Sequence, residues 1–291
     1  MIPYYDSGSF LIEAVKSALS QSYEAVEIVI VDDASPNLPA EAVLAQYPEL
    51  RESKRIQLLR CDCNEGPSLA TNRGIRAASG DLILTLDGDD LLAADCLSAC
   101  WRELEKSGAD LVFPSMTYFG EQNFVVVPDI RLEKLLLGDG ASPTFLARRS
   151  VYDQLQYRRA DLCEDVDFLL RVVVGGFKIG YVAEPLFFYR KHSESYSTRQ
   201  KALWSARMAT LRALHPDLYA QNAALVMDQM EVRYRRLEAE YQVLHSDWQK
   251  KEAFYNLFLP WHRGFQFLRS QLCAAKAALP TGLKKVGQSD G

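Results

Sequence analysis

The chain has 291 residues, 48% of them hydrophobic, and a net charge of −5 at pH 7. That length holds one large domain, or one domain with an appendage, around a sizeable core. The acidic balance argues against a nucleic-acid partner, and no uncharged apolar run reaches the roughly 18–20 residues that span a bilayer.

Taken in chain order, "MIPYYD" (1–6) reads as the tail of a strand whose first residues are missing. "SFLIEAVKSALSQS" has apolar residues at 10, 11, 14, 15, 18 and 19, which is helical spacing. "VEIVIV" (26–31) is a short β-branched run of the kind buried on both faces, and it ends in the polar turn "DDASPN". "RIQLLRC" (55–61) predicts another strand. "NEGPSLATNRGIRAASG" (64–80) predicts a helix with Pro67 in its first turn and Gly80 past its end. "DLILTL" (81–86) is the next strand. This alternation predicts a parallel sheet with right-handed crossovers.

From residue 91 the pattern predicts a helix, then strands in "ADLVFPSMTYFG" and "NFVVVPD" and a less regular stretch over 143–150. "EDVDFLLRVVVGG" (164–176) is apolar nearly all round and reads as a buried helix, followed by strands in "FKIGYV" and "LFFYRKH". Past about residue 198 the character changes. Val226, Met230, Tyr234, Leu237, Tyr241, Leu244 and Trp248 form an apolar seam over 226–248. Such a seam serves either a helix packed back on the main domain or a homodimeric coiled coil. Residues 253–289 carry five Lys or Arg and no acid, with Trp261, Phe265, Leu268, Leu272 and Leu279 able to share a face. That tail is either a basic surface helix or an interfacial membrane helix.

The six cysteines fit no zinc spacing, and free thiols in a reducing cytosol are the expectation. The first residues carry no secretory leader pattern. The predicted location is cytoplasmic, with peripheral contact at the inner face of a membrane if the 253–289 tail binds lipid.

The chemistry concentrates at predicted strand ends. Asp32 and Asp33 close one strand; Asp87, Asp89 and Asp90 in "LDGDD" close another. In an open parallel sheet both ends face the crevice where ligands bind. Carboxylates packed together are costly. A hard divalent cation with a phosphorylated ligand removes that cost, which points to Mg²⁺ or Mn²⁺.

At these residues the chain resembles the family-2 glycosyltransferases, inverting enzymes with the GT-A fold. The resemblance is carried by "IPYYD" (2–6), "VDDAS" (31–35), "NEG" (64–66), "NRGI" (72–75), "LDGDD" (86–90), "CED" (163–165) and "YRKHSESYS" (189–197), in order and at fitting spacing. It implies an α/β architecture, a GT-A (Rossmann-like) mixed, mainly parallel sheet flanked by helices, over 1–198, with a C-terminal helical extension over 199–291. It implies a nucleotide-sugar donor, UDP-linked, held by Pro3, Tyr5, Asp33, Asn64, Gly66, Asn72 and Asp87. Asp89 and His192 would bind the metal, and Asp32, Asp90, Glu164 and Arg190 would support the site. Asp165 matches the general base that takes the proton of an attacking sugar hydroxyl. The acceptor would be a growing surface glycan or a lipid-linked saccharide.

Three departures stand out. The first strand is short, the family's usual Arg before the helix Asn is Thr71, and "LQYRRADLCED" replaces the usual "GGF" segment on the acceptor side. Two rival readings remain: a catalytically degenerate nucleotide-sugar-binding scaffold and a sugar-phosphate nucleotidyltransferase. The latter lacks its Gly-rich basic phosphate loop in this sequence.

Overall fold

A computed structural model describes residues 1–140, 142–160, 163–192 and 203–245. Residues 1–229 form one compact unit, and the second begins at Met230. Within the first, β1 (Ile2–Tyr4), β2 (Ile28–Asp32) and β3 (Ile56–Arg60) pair in parallel in the order β1-β2-β3, with Tyr4 opposite Asp32 and Asp32 opposite Arg60. The free edge of β1 meets β4 (Leu82–Leu84) through Met1 N to Leu84 O at 2.8 Å and Leu86 N to Met1 O at 3.0 Å. β1 therefore lies between the ends of β2 and β4, and the two carboxylate clusters flank it.

The sheet continues as β4, β8 (Leu146–Arg148), β6 (Leu111–Gly120), β9 (Ile179–Lys191) and β5 (Leu91–Leu92), with β7 (Phe124–Val126) on the side of β6. Here only β6 and β9 run parallel; every other pair is antiparallel. The sheet is mixed, with parallel pairing concentrated in its first half.

Alternation along β2 shows how the layers form. Ile28 and Ile30 enter one core with α1 (Phe10–Leu19), α2 (Ala40–Leu44) and α5 (Cys96–Ser107), while Val29 and Val31 face α4 (Pro67–Ala77). Successive side chains point to opposite faces, so a strand covered on both sides must be apolar throughout. Gly74 lets α4 lie close: a Cβ there would collide with the Met1 side chain and come within 3.1 Å of Val31 Cγ2. Arg149 caps the carboxyl end of α4, donating from Nη2 to Ala78 O at 2.7 Å and from Nη1 to Ile75 O at 3.3 Å.

A further core joins α6 (Leu132–Leu135), α7 (Arg149–Gln154) and α8 (Glu164–Val174). Two helices past residue 198 pack into it. They are α9 (Trp204–Leu214), through buried Met208 and Leu211, and α10 (Pro216–Gln221), through Tyr219. Tyr219 donates to Leu136 O at 2.8 Å. The junction is pinned by Asp167, fully buried, which receives Arg171 at 2.7 Å and His215 Nε2 at 2.8 Å. α11 (Ala223–His245) carries the predicted seam, with Val226, Met230, Tyr234 and Leu237 less exposed than Glu231, Val232, Arg235 and Arg236. The later seam side chains, the 253–289 tail and residues 193–202 lie outside the described residues.

Four expectations need correction. Leu91 and Leu92 are not helical; they pair with Phe188 and Phe187 as β5, and the helix starts only at Cys96. The two strands predicted around 177–192 are one strand, kept continuous by a register shift opposite Pro185. The irregular stretch 143–150 contains β8 and the start of α7. α2 and α3 (Pro48–Arg51) were not foreseen, because four- and five-residue helices carry no periodicity to read.

Candidate active site

Asp32 and Asp33 are nearly inaccessible, and their oxygens are occupied by backbone. Asp32 accepts Ser35 N at 2.8 Å and Ala40 N at 2.9 Å, which folds the turn after β2. Asp33 accepts Glu65 N at 2.9 Å and Gly66 N at 2.8 Å, and its own N–H goes to Tyr4 O at 2.9 Å. Asn64 Oδ1 also accepts Gly66 N at 3.1 Å, and Gly66 adopts φ +87° as it opens α4. A side chain would be strained there. The "NEG" loop is thus tied to the end of β2 by one carboxylate. Pro3 is half-buried and Tyr5 is 49% exposed just after β1.

Asn72 does not present its side chain to the crevice. Nδ2 donates to Tyr157 O at 2.7 Å and Oδ1 accepts Tyr157 N at 2.9 Å. What it positions is Tyr157, a buried phenol held well above its ordinary pKa by lost solvation and, secondarily, by Tyr152, Asp165 and Asp87.

Across β1, the Asp87–Asp90 turn closes with Asp90 N to Asp87 O at 3.1 Å. Gly88 lets the turn lie close to β1: a Cβ would sit 3.3 Å from Pro3 O and 3.4 Å from Ser7 Oγ. Asp90 is buried, and its Oδ1 accepts Arg190 N at 2.7 Å. Burial first, then Asp89 and Asp87, push its carboxyl well above the usual range. Arg190 ties the turn to β9, donating from Nε to Asp89 O and from Nη2 to Glu13 at 2.7 and 2.8 Å. Its guanidinium lies over Phe10 and Phe119 at 4.4 and 4.5 Å. These contacts leave Asp87 and the Asp89 side chain for other work. Asp89 Oδ2 lies 3.1 Å from His192 Nε2, both partly exposed. The Asp87 carboxyl is pushed up to about 7 by lost solvation, then by Asp89 and Asp165.

Glu164 and Asp165 open α8 beside these groups. Asp165 Oδ1 accepts Val166 N at 2.8 Å, and its side chain is 37% exposed. Glu164 is pushed up to about 8, first by burial and then by Asp165. On the cationic side stands Arg207 of α9, with Nη2 at 3.9 Å from Asp165 Oδ1. The fold therefore gathers Asp87, Asp89, Glu164, Asp165 and His192 as the sequence implied. It also adds Tyr157 and Arg207, which no motif marked. Glu13, one α1 turn from Phe10, was likewise missed, since its role depends on Arg190.

Among the described residues no group of three or more His, Cys, Asp or Glu side chains is arranged to hold a metal. Asp89 and His192 offer one carboxylate and one imidazole. Two donors fit a Mg²⁺ or Mn²⁺ that keeps waters and takes phosphate oxygens, not one held in an all-protein cage. No helix among the described residues is long and apolar enough to cross a membrane.

Comparison with known proteins bears on the family and the fold. The family description "Glycosyl transferase family 2" matches residues 1–163. The chain is 24% identical over 216 residues to the glycosyltransferase GlyG of Streptococcus pneumoniae, covering 67% of this chain and 71% of that one. It is 34% identical over 116 residues to the succinoglycan biosynthesis protein ExoO of Rhizobium meliloti, covering 40% of this chain and 32% of that one. The crystal structure of S. aureus TarS 1-349 with UDP-GlcNAc superposes with a TM-score of 0.61 at 18% identity, over 79% of this chain and 70% of that one. The fold is that of the GT-A glycosyltransferases.

Proposed function

The chain belongs to glycosyl transferase family 2, and on that premise we propose that it transfers a sugar from a UDP-linked donor to an acceptor hydroxyl with inversion, Asp165 acting as general base. The observation that carries this reading is the placement of Asp165. It is partly exposed at the start of α8, in one charged group with Asp87, Asp89 and Glu164. A carboxylate there takes the hydroxyl proton as the acceptor oxygen bonds to the anomeric carbon. The bond from that carbon to the donor phosphate breaks, and its electron pair leaves with UDP. One base suffices for a single displacement; a glycosidase needs two carboxyls flanking the bond.

The remaining roles in this reading are carried over from the family resemblance. Pro3 and Tyr5 line the base pocket, and the loop fixed by Asp33 through Glu65 and Gly66 closes it. Asp87 approaches the ribose. Asp89 and His192 hold Mg²⁺ or Mn²⁺, and the bound ion supplies charge neutralisation for the departing diphosphate. Asp32, Asp90 and Arg190 keep the turns in place, and Asn72 acts through Tyr157. A UDP-linked donor is favoured because TarS, which shares the fold, is solved with UDP-GlcNAc. A surface glycan or lipid-linked saccharide is the acceptor in this reading, in keeping with ExoO's name. Membrane contact through 253–289, self-association through 226–248 and a cytoplasmic location belong to the same proposal, on sequence pattern alone.

Calorimetric titration of UDP, with GDP as control, with and without Mn²⁺, tests it. Mn²⁺-dependent UDP binding that disappears in Asp89→Ala is the expected result. Absence of UDP binding under every condition overturns the donor assignment.

A further inference from the structure

Arg207 lies outside residues 1–163 and outside every motif above. It approaches Asp165 from a different helix, α9, and its pairing is incomplete. The 3.9 Å contact from Nη2 to Asp165 Oδ1 is too long for a hydrogen bond. Nε is buried and has no hydrogen-bond partner among the described residues. Two residues further along α8 the same pairing is made fully: Arg171 reaches Asp167 at 2.7 and 3.0 Å. If Arg207 served only to balance Asp165, that closed geometry would be the natural one. Asp165 Oδ1 is instead turned to Val166 N. A guanidinium presents its donors in a planar fork that suits a carboxylate or a phosphate, and a buried N–H left without an acceptor is costly.

Arg158 and Arg159 follow Tyr157 directly. Both are exposed, and neither has an ion pair among the described residues. The Tyr157 phenol feels the charges of Asp165 and Asp87, and these two cations follow it within about 7 Å of chain from Tyr157.

We propose that Arg207, together with Arg158 and Arg159 from the segment that follows Tyr157, forms an acceptor subsite for an oxyanion, a phosphate or carboxylate carried by the acceptor near its reacting hydroxyl. This rests on Asp165 being the base, because the hydroxyl must come to Asp165 and Arg207 is the cation beside it. The carboxyls facing the subsite are Glu164 and Asp165 from α8, with Asp87 and Asp89 from the turn after β4. Glu164, raised to about 8 by burial and by Asp165, is neutral at pH 7, which reduces the repulsion an incoming anion meets.

Titration of the full chain with methyl phosphate, and separately with glucuronate, tests this, with methanol and glucose as uncharged controls. The readout is the Arg side-chain Nε–H signals in ¹⁵N-labelled protein. Saturable binding of at least one anion in the millimolar range is expected. It should weaken at least tenfold in Arg207→Met and in the Arg158→Gln/Arg159→Gln double variant, and not weaken in Asp89→Ala. Which anion binds distinguishes a phosphate-bearing acceptor from a uronate-bearing one. Three results overturn the proposal: no binding of either anion, loss in Asp89→Ala alone (the anion then occupies the donor diphosphate site), or equal binding in every variant, meaning an adventitious ion only. If Arg207→Met melts early, the exposed double variant decides. Asp165→Asn separates the two readings: its turnover tests the base, and its anion binding is expected to persist whatever that turnover shows.

Discussion

"VDDAS" and "LDGDD" look alike in sequence, adjacent carboxylates at the end of a buried strand, yet the fold uses them in opposite ways. Asp32 and Asp33 spend their oxygens on the backbone N–H groups of Ser35, Ala40, Glu65 and Gly66. Their charge is solvated by the protein itself, and they build loops. Asp87 receives little of that support and crowds against Asp89, Glu164 and Asp165, negative charge that a cation or a proton relieves, and Asp89 turns its side chain to His192. Carboxylates saturated by amides shape the donor side, and unsaturated ones are left for chemistry.

The largest effect that sharpens this contrast is expected at Asp165. Asp165→Asn should lower turnover by about 10²–10⁴-fold, the usual share of a general base. UDP affinity should stay unchanged, as read by UDP release and by calorimetry. Unchanged turnover would place the base elsewhere. Asp33→Ala should act through structure. Losing two hydrogen bonds to a buried carboxylate costs about 3 kcal/mol in a denaturant titration, and UDP binding should weaken with it. If stability held while binding fell, Asp33 would be a ligand contact and not a loop anchor.

A smaller effect is expected at Asn72→Ala, about 2 kcal/mol for two neutral hydrogen bonds and the buried Tyr157 backbone polar groups they leave unpaired. Turnover should fall more than UDP affinity, because Tyr157 stands beside Asp165. A pH effect comes last: it is the smallest per pH unit and accumulates between pH 5 and pH 8. The folded pKa of Glu164, about 8, is raised above its ordinary value of 4.5. The folded state thus holds a proton that the unfolded state releases. Stability from this group is complete below about pH 4.5 and is lost as pH rises toward 8. Glu164→Gln should flatten that fall, which denaturant titrations at pH 5 and pH 8 would measure, by at most about 1.4 kcal/mol per pH unit.

Much of the first half of the sheet was legible because its signals are local. An apolar β-branched run ending in two Asp marks a strand end, and Gly74 sits where a Cβ would strike Met1. The second half was not. Leu91 and Leu92 have no strand period of their own and become β5 only by pairing with Phe188 and Phe187. β8 is three residues long, and its place depends on β4 and β6 on either side. Tyr157 and Arg207 carried no local signal at all, since each matters only through Asp165.

From the sequence alone came the family's ordered motifs, the alternation of strands and helices, and the residue types that gather at the strand ends. These depend on periodicity and spacing, which the chain carries within a few residues. Only the tertiary structure decided which polar groups were already spent. Asp33 is satisfied by residues about thirty positions away and Asn72 by one 85 away, and Oδ1 of Asp90 is held by one 100 away. Whether a carboxylate or amide still has an acceptor or donor to offer depends on such distant partners. The same holds for the unfinished pairing of Arg207.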